Sequence, residues 1–193
     1  MRKNTPSFEP YLEIYTLTRT PKAMLYRLAH AQPSESFLKQ WVQREKAVFQ
    51  ASAESGAKTT SGALIAISNT GGQIAAPAGI TAYGIVVGTG NAAVAIDDYK
   101  LGTQILHGSG AGQLDHKAVT FDAFQVVGSV ASFRSKRQFE NLSGSTITIT
   151  ESGLYVWFNG TYYFCTLRDL LTTPFNILNT QIAEFRYTFK ATI

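Results

Sequence analysis

The stretch Phe139–Trp157, FENLSGSTITITESGLYVW, decides the fold class. Ile147 and Ile149 alternate with Thr146, Thr148 and Thr150, the period of two that marks a half-buried strand. Ser143-Gly144 and Ser152-Gly153 are turn dipeptides, so the segment reads as strand, turn, strand, turn, strand.

The same pattern extends outward. Strands are expected at 63–68, 80–87, 113–121, 124–139, 145–150, 153–158, 162–167 and 181–193. Most are separated by glycine- or asparagine-rich turns. The sharpest is Asn159-Gly160, which has the chemistry of a two-residue hairpin turn. In the last strand Phe185, Tyr187 and Phe189 alternate with Arg186, Thr188 and Lys190, which gives one buried and one exposed face. Many short strands with almost no helix between them predict a mainly β protein, an antiparallel β-sandwich of jelly-roll-like or Ig-like type.

Ahead of this body (residues 59–193), residues 1–58 read as an N-terminal arm containing one strand and one or two short helices. Tyr11–Arg19 alternates as a strand. Thr20-Pro21 has the form of an N-cap followed by proline at the first helical position, which predicts a helix through about His30. Ser34 or Ser36 is placed to cap an amphipathic helix reaching about Ala53. Its apolar stripe is Phe37, Leu38, Trp41, Val42, Val48 and Phe49. That stripe has to pack on the chain's own body or on a neighbouring subunit. Residues 54–62, ESGAKTTSG, are small and polar and read as a linker.

Charge separates the same two zones. Residues 1–58 hold nine Lys/Arg and five Asp/Glu, 9 − 5 = +4, whereas residues 59–193 hold eight of each, 8 − 8 = 0. Acids are interleaved with the bases of the arm. Nucleic-acid contact by the arm is therefore open but not favoured, because phosphate binding needs clustered cations. Charged residues make up 16% of the chain against a usual ~25%. A surface so poor in charge and rich in Tyr and Phe is expected to be partly covered by a partner. No run approaches the ~20 apolar residues of a membrane span, and MRKNTPSFEP lacks the core of a signal peptide. The expected product is soluble and made in the cytoplasm.

Chemistry-bearing motifs are few. Gly88-Thr89-Gly90 and Gly108–Gly112 are followed by strand-like sequence rather than the helix that a phosphate cradle needs, and they read as turns. Asp97, Asp98 and Asp115 lack the spacing of a cation loop, and His30, His107 and His116 lack that of a zinc site. The lone Cys165, inside YYFCTL, reads as a buried hydrophobe. No catalytic residue, cofactor or metal is expected, and an enzyme is not. Tyr155, Trp157, Tyr162 and Tyr163 form either an exposed aromatic platform suited to sugars or hairpin core.

Three groups of residues together resemble a β-sandwich domain of virion structural proteins of tailed bacteriophages. They are Val86–Gly90 with Ile96, Asp97, Asp98, Tyr99 and Leu101; Gly108–Leu114; and Phe139, Asn141, Ser143, Gly144, Glu151, Gly153, Leu154, Tyr155, Arg168, Asp169 and Pro174. The likeness covers about residues 85–192. It implies a sandwich that self-assembles in the capsid, neck or tail as a homo-oligomer with other virion proteins, made in the host cytoplasm. It carries over no catalytic residue. On this reading the arm locks neighbouring copies, and Tyr11, Ile14, Phe37, Trp41, Phe49, Tyr155 and Trp157 are the candidate contact residues. The alternative is a carbohydrate- or receptor-binding module of a virion.

Overall fold

The computed structural model describes residues 7–34, 36–158 and 160–192, of which the strands take about 55% of the chain and the helix 6%. Antiparallel sheets pack together as a β-sandwich with one helix among the described residues. The larger sheet contains β1 (Ser7–Arg19), β2 (Met24–Pro33), β6 (Asp115–Phe121), β7 (Gln125–Val127), β8 (Val130–Glu140) and β11 (Ile182–Thr192). Its order is β2-β1-β11-β8-β6, with β7 beside β6 on the same edge of β8. The smaller sheet is β10-β9-β5, from β5 (Gly84–Gly88), β9 (Ile147–Phe158) and β10 (Tyr162–Ile177). Leu12, Ile14, Phe139, Phe185 and Tyr187 from the first meet Ile85, Ile149, Leu154 and Leu167 from the second in the main core.

The N-terminal segment differs from the expected arm in ways that trace to pairing over long distances. β1 is sandwiched between β2 and β11, in register from Ser7 opposite Thr192 to Leu17 opposite Ile182. The division at residue 58 therefore corresponds to no break in the sheet. The helix expected from Thr20 to His30 is strand β2. Thr20 does cap a chain reversal, since its Oγ1 accepts the Ala23 N–H at 3.0 Å, but the reversal is a hairpin turn. The same local chemistry serves a turn or a helix start, and the partner strand decides between them.

The real helix, α1 (Lys39–Phe49), begins later and ends earlier than expected, with Leu38 at its N-cap and no side-chain cap. Ser34 is drawn elsewhere: its hydroxyl donates to the buried Asp169 at 2.6 Å. Residues 54–62 form a hairpin rather than a linker. β3 (Glu54–Lys58) pairs with β4 (Leu64–Ile67), and Thr59 Oγ1 accepts the Ala63 N–H across the turn.

Three further differences lie in the body. Residues 124–139 hold two strands, β7 and β8, because Gly128-Ser129 folds the chain back and Val127 pairs with Val130. β9 runs unbroken through Ser152-Gly153. A side chain at Gly153 would meet the Leu167 carbonyl at 2.9 Å and Leu101 Cδ2 at 3.0 Å, so this glycine serves close packing and not a turn. Asn159 lies outside the described residues. The hairpin expected at that turn therefore falls there too, and the third difference is β10, which runs on to Ile177 instead of ending at 167.

A buried ionic network fixes the irregular segment between β5 and β6 to the smaller sheet. The fully buried Glu151 carboxylate accepts the N–H groups of Gly90 (3.0 Å), Gly102 (3.0 Å) and Thr103 (2.8 Å). Arg168 donates its Nε to Glu151 at 2.9 Å, Nη1 to Asp98 at 2.7 Å and Nη2 to the Ala92 carbonyl at 3.0 Å. Arg137, also buried, has no carboxylate beside it among the described residues. It donates instead to the carbonyls of Lys117, Ile85, Tyr83, Pro77 and Ile80.

Removing one partner of a buried pair strands the other charge, so Glu151→Gln and Arg168→Met should each cost about 3–5 kcal/mol. The double variant should cost clearly less than their sum, read by urea unfolding. His116 gives a pH signature. Burial, the nearby Arg137 guanidinium and His107 together hold its pKa down to about 3. It is neutral when folded and charged when unfolded below 6.5, so its stabilisation is complete above pH 6.5 and is lost as pH falls toward 3. Between neutral pH and about pH 4.5 the wild type should lose about 2–3 kcal/mol more than His116→Gln, measured by denaturant unfolding at each pH.

Candidate assembly surface

The seven candidate contact residues do not share a surface. Ile14 is core. Tyr155 is 2% exposed, and its hydroxyl oxygen accepts the Leu101 N–H at 2.6 Å, so it belongs to no exposed platform. Tyr11 is half-buried on β1. Phe37 and Trp41 turn inward, with centroids 4.7 Å apart, and continue a row of rings through Phe8, Phe189 and Phe133. Trp157 is half-buried against Tyr83, at 5.3 Å. Phe49 alone projects fully, at 85% exposed, near the exposed Val42. The expected apolar stripe therefore splits: Leu38 is buried in the body, while Val42, Val48 and Phe49 face out, and it is Ala47, outside the stripe, that anchors the helix further along.

Between the sheets, beside Trp41, lies a cleft of about 250 Å³. Phe133, Phe189, Leu154, Val156 and Phe158 line it with Ile74, and Arg44 is the one titratable residue in its wall. Apolar walls with a single guanidinium, itself bonded to Glu45 at 2.7 Å, offer shape and no acid–base pair.

Other chemistry-bearing groups serve the fold. Asp98 holds Arg168 and accepts the Ala95 N–H, whereas Asp115 holds Lys117. The two carboxylates therefore sit in separate networks. His107 Nδ1 accepts the His116 N–H at 3.1 Å, and His30 bonds Gln32. Cys165 is fully buried, and burial pushes its thiol pKa up. No group of three His, Cys, Asp or Glu suited to a metal occurs among the described residues, and no helix among them is long and apolar enough to cross a membrane.

The glycine loops hold a finding that sequence spacing did not reveal. Residues 88–90 and 102–103 do cradle an anion, and that anion is the chain's own Glu151. A Cβ on Gly88 would meet Glu151 Oε1 at 2.6 Å, and one on Gly90 would collide with the same oxygen.

What the fold leaves open on the larger sheet is β2 at one edge and β7 at the other; β6 is covered, its Val119 N–H donating to the Ala76 carbonyl and its His116 carbonyl accepting the Gly79 N–H. Every residue from Leu25 to Ala29 on β2 is exposed, so neither face of that stretch is covered. Leu25, Tyr26 and Leu28 are 46–56% exposed. At the other edge Phe121, Phe124, Val126 and Val127 are 46–73% exposed. The smaller sheet is protected by contrast. Residues 36–38 pair with β10 through Leu38 N–H to the Thr166 carbonyl, and residues 103–105 cover β5. Gln32 guards the rest of β10, donating to the Leu170 carbonyl at 2.8 Å and accepting the Thr172 N–H at 2.9 Å. Local sequence hides both exposed strands, because Leu25, Tyr26 and Leu28 read as helix and residues 124–139 read as one strand. The signal that marks them is the pair of apolar clusters next to the turns at Thr20–Ala23 and Gly128-Ser129.

If Tyr155 acts through the fold, Tyr155→Phe leaves the buried Leu101 N–H without an acceptor and costs about 1–3 kcal/mol in thermal or urea unfolding. A surface role for this ring would make the hydroxyl's removal neutral.

Comparison of the chain with protein-family models, with curated proteins and with solved structures gives no match, and the functional reading therefore rests on this geometry.

Proposed function

We propose that the protein is a structural subunit that assembles with copies of itself, and that it belongs to a virion of the tailed-bacteriophage type, in the capsid, neck or tail. One observation carries this reading: the larger sheet ends at β2 in an apolar edge strand, exposed at every residue from Leu25 to Ala29, and the short β7 at its other side is exposed as well. Exposed edges of that kind are templates for pairing, and proteins that stay monomeric usually blunt or cover them. This chain does cover the edges of its smaller sheet and the β6 side of the larger one, which sets β2 and β7 apart.

The motifs that resemble phage virion domains support the same setting through stiffness rather than chemistry. Asp98, Glu151 and Arg168 meet in one network, with Gly90 against it. A building block needs such stiffness so that contacts at its edges repeat at a constant angle. A carbohydrate- or receptor-binding module is the second reading. It is favoured by Trp157, whose indole N–H has no partner among the described residues and whose ring sits with Tyr83 and Tyr163.

Negative-stain electron microscopy and native mass spectrometry of the purified chain test the first reading. A symmetric homo-oligomer at micromolar concentration is the expected result. A monomer at every accessible concentration overturns it, and glycan-array binding lost on Trp157→Ala would move the assignment to the second.

A further inference from the structure

We propose that the open side of β2 takes an extended, acid-bearing segment of a different protein by strand addition, with Arg19, Lys22 and Arg27 selecting its carboxylates. The proposal rests on the reading of the chain as a structural subunit, which meets components besides its own copies, and it names what one contact takes. No described strand or loop pairs with the outer side of Leu25–Ala29. That stretch is bounded. The register with β1 steps over Ala29 as a bulge, and Gln32 beyond it is already bonded to β10. What remains is a short row of backbone donors and acceptors flanked by the exposed Leu25, Tyr26 and Leu28, the two ingredients of strand addition.

Charge selects the occupant. Residues 14–34 contain Arg19, Lys22 and Arg27 and no acid, a net +3. All three cations are exposed, and none is ion-paired among the described residues. Glu13 and Glu184, on the strands behind, are held by Arg134 and Arg186. A second copy fits this edge poorly. Its β2 brings the same cations, and like charges across an edge deter pairing. Its β7, Gln125–Val127, is three residues long and uncharged. A carboxylate-bearing strand from another protein meets the cations with opposite charge, the arrangement that steers association and suppresses the wrong partner.

The backbone row decides between a peptide and other anionic surfaces. Lipid laid over β2 would bury its N–H and C=O groups without partners. A nucleic acid supplies phosphates, but three cations are few for its backbone. An extended peptide pairs the row and presents side chains in alternation. Leu25 and Arg27 lie on one face of the strand, and Tyr26 and Leu28 on the other. The segment that fits therefore alternates too, with acids beside Arg27 and apolar residues beside Tyr26 and Leu28.

The full chain tests this with short blocked peptides: alternating glutamate and valine, alternating lysine and valine, and a glutamate–valine peptide interrupted by proline. Titration calorimetry reads affinity, and hydrogen exchange reads the amides of residues 24–29. Only the uninterrupted glutamate–valine peptide is expected to bind and to slow exchange there. Arg27→Glu, at an exposed unpaired position, should keep the thermal midpoint and weaken that binding at least ~10-fold. Equal binding of the lysine–valine or proline-interrupted peptide would overturn the proposal, as would protection elsewhere or no binding at all. Tighter binding of oligothymidylate, or of phosphatidylserine vesicles, would overturn it in favour of that surface. An assembled wild type whose residues 24–29 are already protected would overturn it too, because β2 would then join copies. A wild type that binds the peptide yet stays monomeric in native mass spectrometry removes the self-assembly reading alone, so the two failures are distinguishable.

Discussion

Everything on the outer side of the smaller sheet depends on one buried charge pair, Glu151 with Arg168. A carboxylate and a guanidinium taken out of water lose several kcal/mol of hydration each, and their mutual attraction offsets this only when every remaining lone pair and proton is used. Here that condition is met. Glu151 collects three backbone N–H groups besides Arg168, and Arg168 reaches Asp98 and the Ala92 carbonyl. The segment from Thr89 to Thr103 has no regular strand or helix of its own, so these charged side chains supply partners that a sheet would otherwise give. With that segment in place, Val86, Leu101, Tyr155, Cys165 and Leu38 close into a second core on the far side of β9 and β10.

Short-range chemistry made the body readable. Alternation in Phe185–Phe189 identified β11, and the turn at Ser143-Gly144 opens β9 as its composition implies. The errors share one cause, which is that local signals do not name their partners. Thr20-Pro21 caps a reversal in either outcome, and only the adjacent β1 made residues 24–33 a strand. Ser34 has the right chemistry for an N-cap, but Asp169, 135 residues away, takes its hydroxyl. Gly153 reads as a turn until Leu101 and Leu167 are seen against its backbone.

The contact residues were legible only as apolar, not as inward or outward. Trp41 and Phe49 are eight residues apart on one helix, yet Trp41 joins a row of rings over the core and Phe49 meets solvent. Glu151 illustrates the converse. Its place in the sequence, between Thr150 and Ser152, looks like the polar end of a strand, although it is the most enclosed charge in the smaller sheet. Which polar residue is enclosed is set by loops some fifty to sixty positions upstream, beyond the reach of any window of the sequence.

The pairing of β1 with β11 carries a consequence for how the chain comes to be folded. Leu17 and Ile182 stand opposite each other, so the centre of the larger sheet cannot close until synthesis has passed β11, some 165 residues after β1. At ribosomal rates of 5–20 residues per second, the first hairpin waits roughly 10–30 s for its central partner. During that interval Leu12, Ile14 and Leu17, later enclosed, stand open alongside Leu25 and Leu28. Such a long-range closure folds slowly for its size and leaves unpaired strand edges available to other chains. Sheet edges that suit assembly in the finished protein are thus a hazard before it is finished, and the nascent chain is the stage at which aggregation has to be avoided.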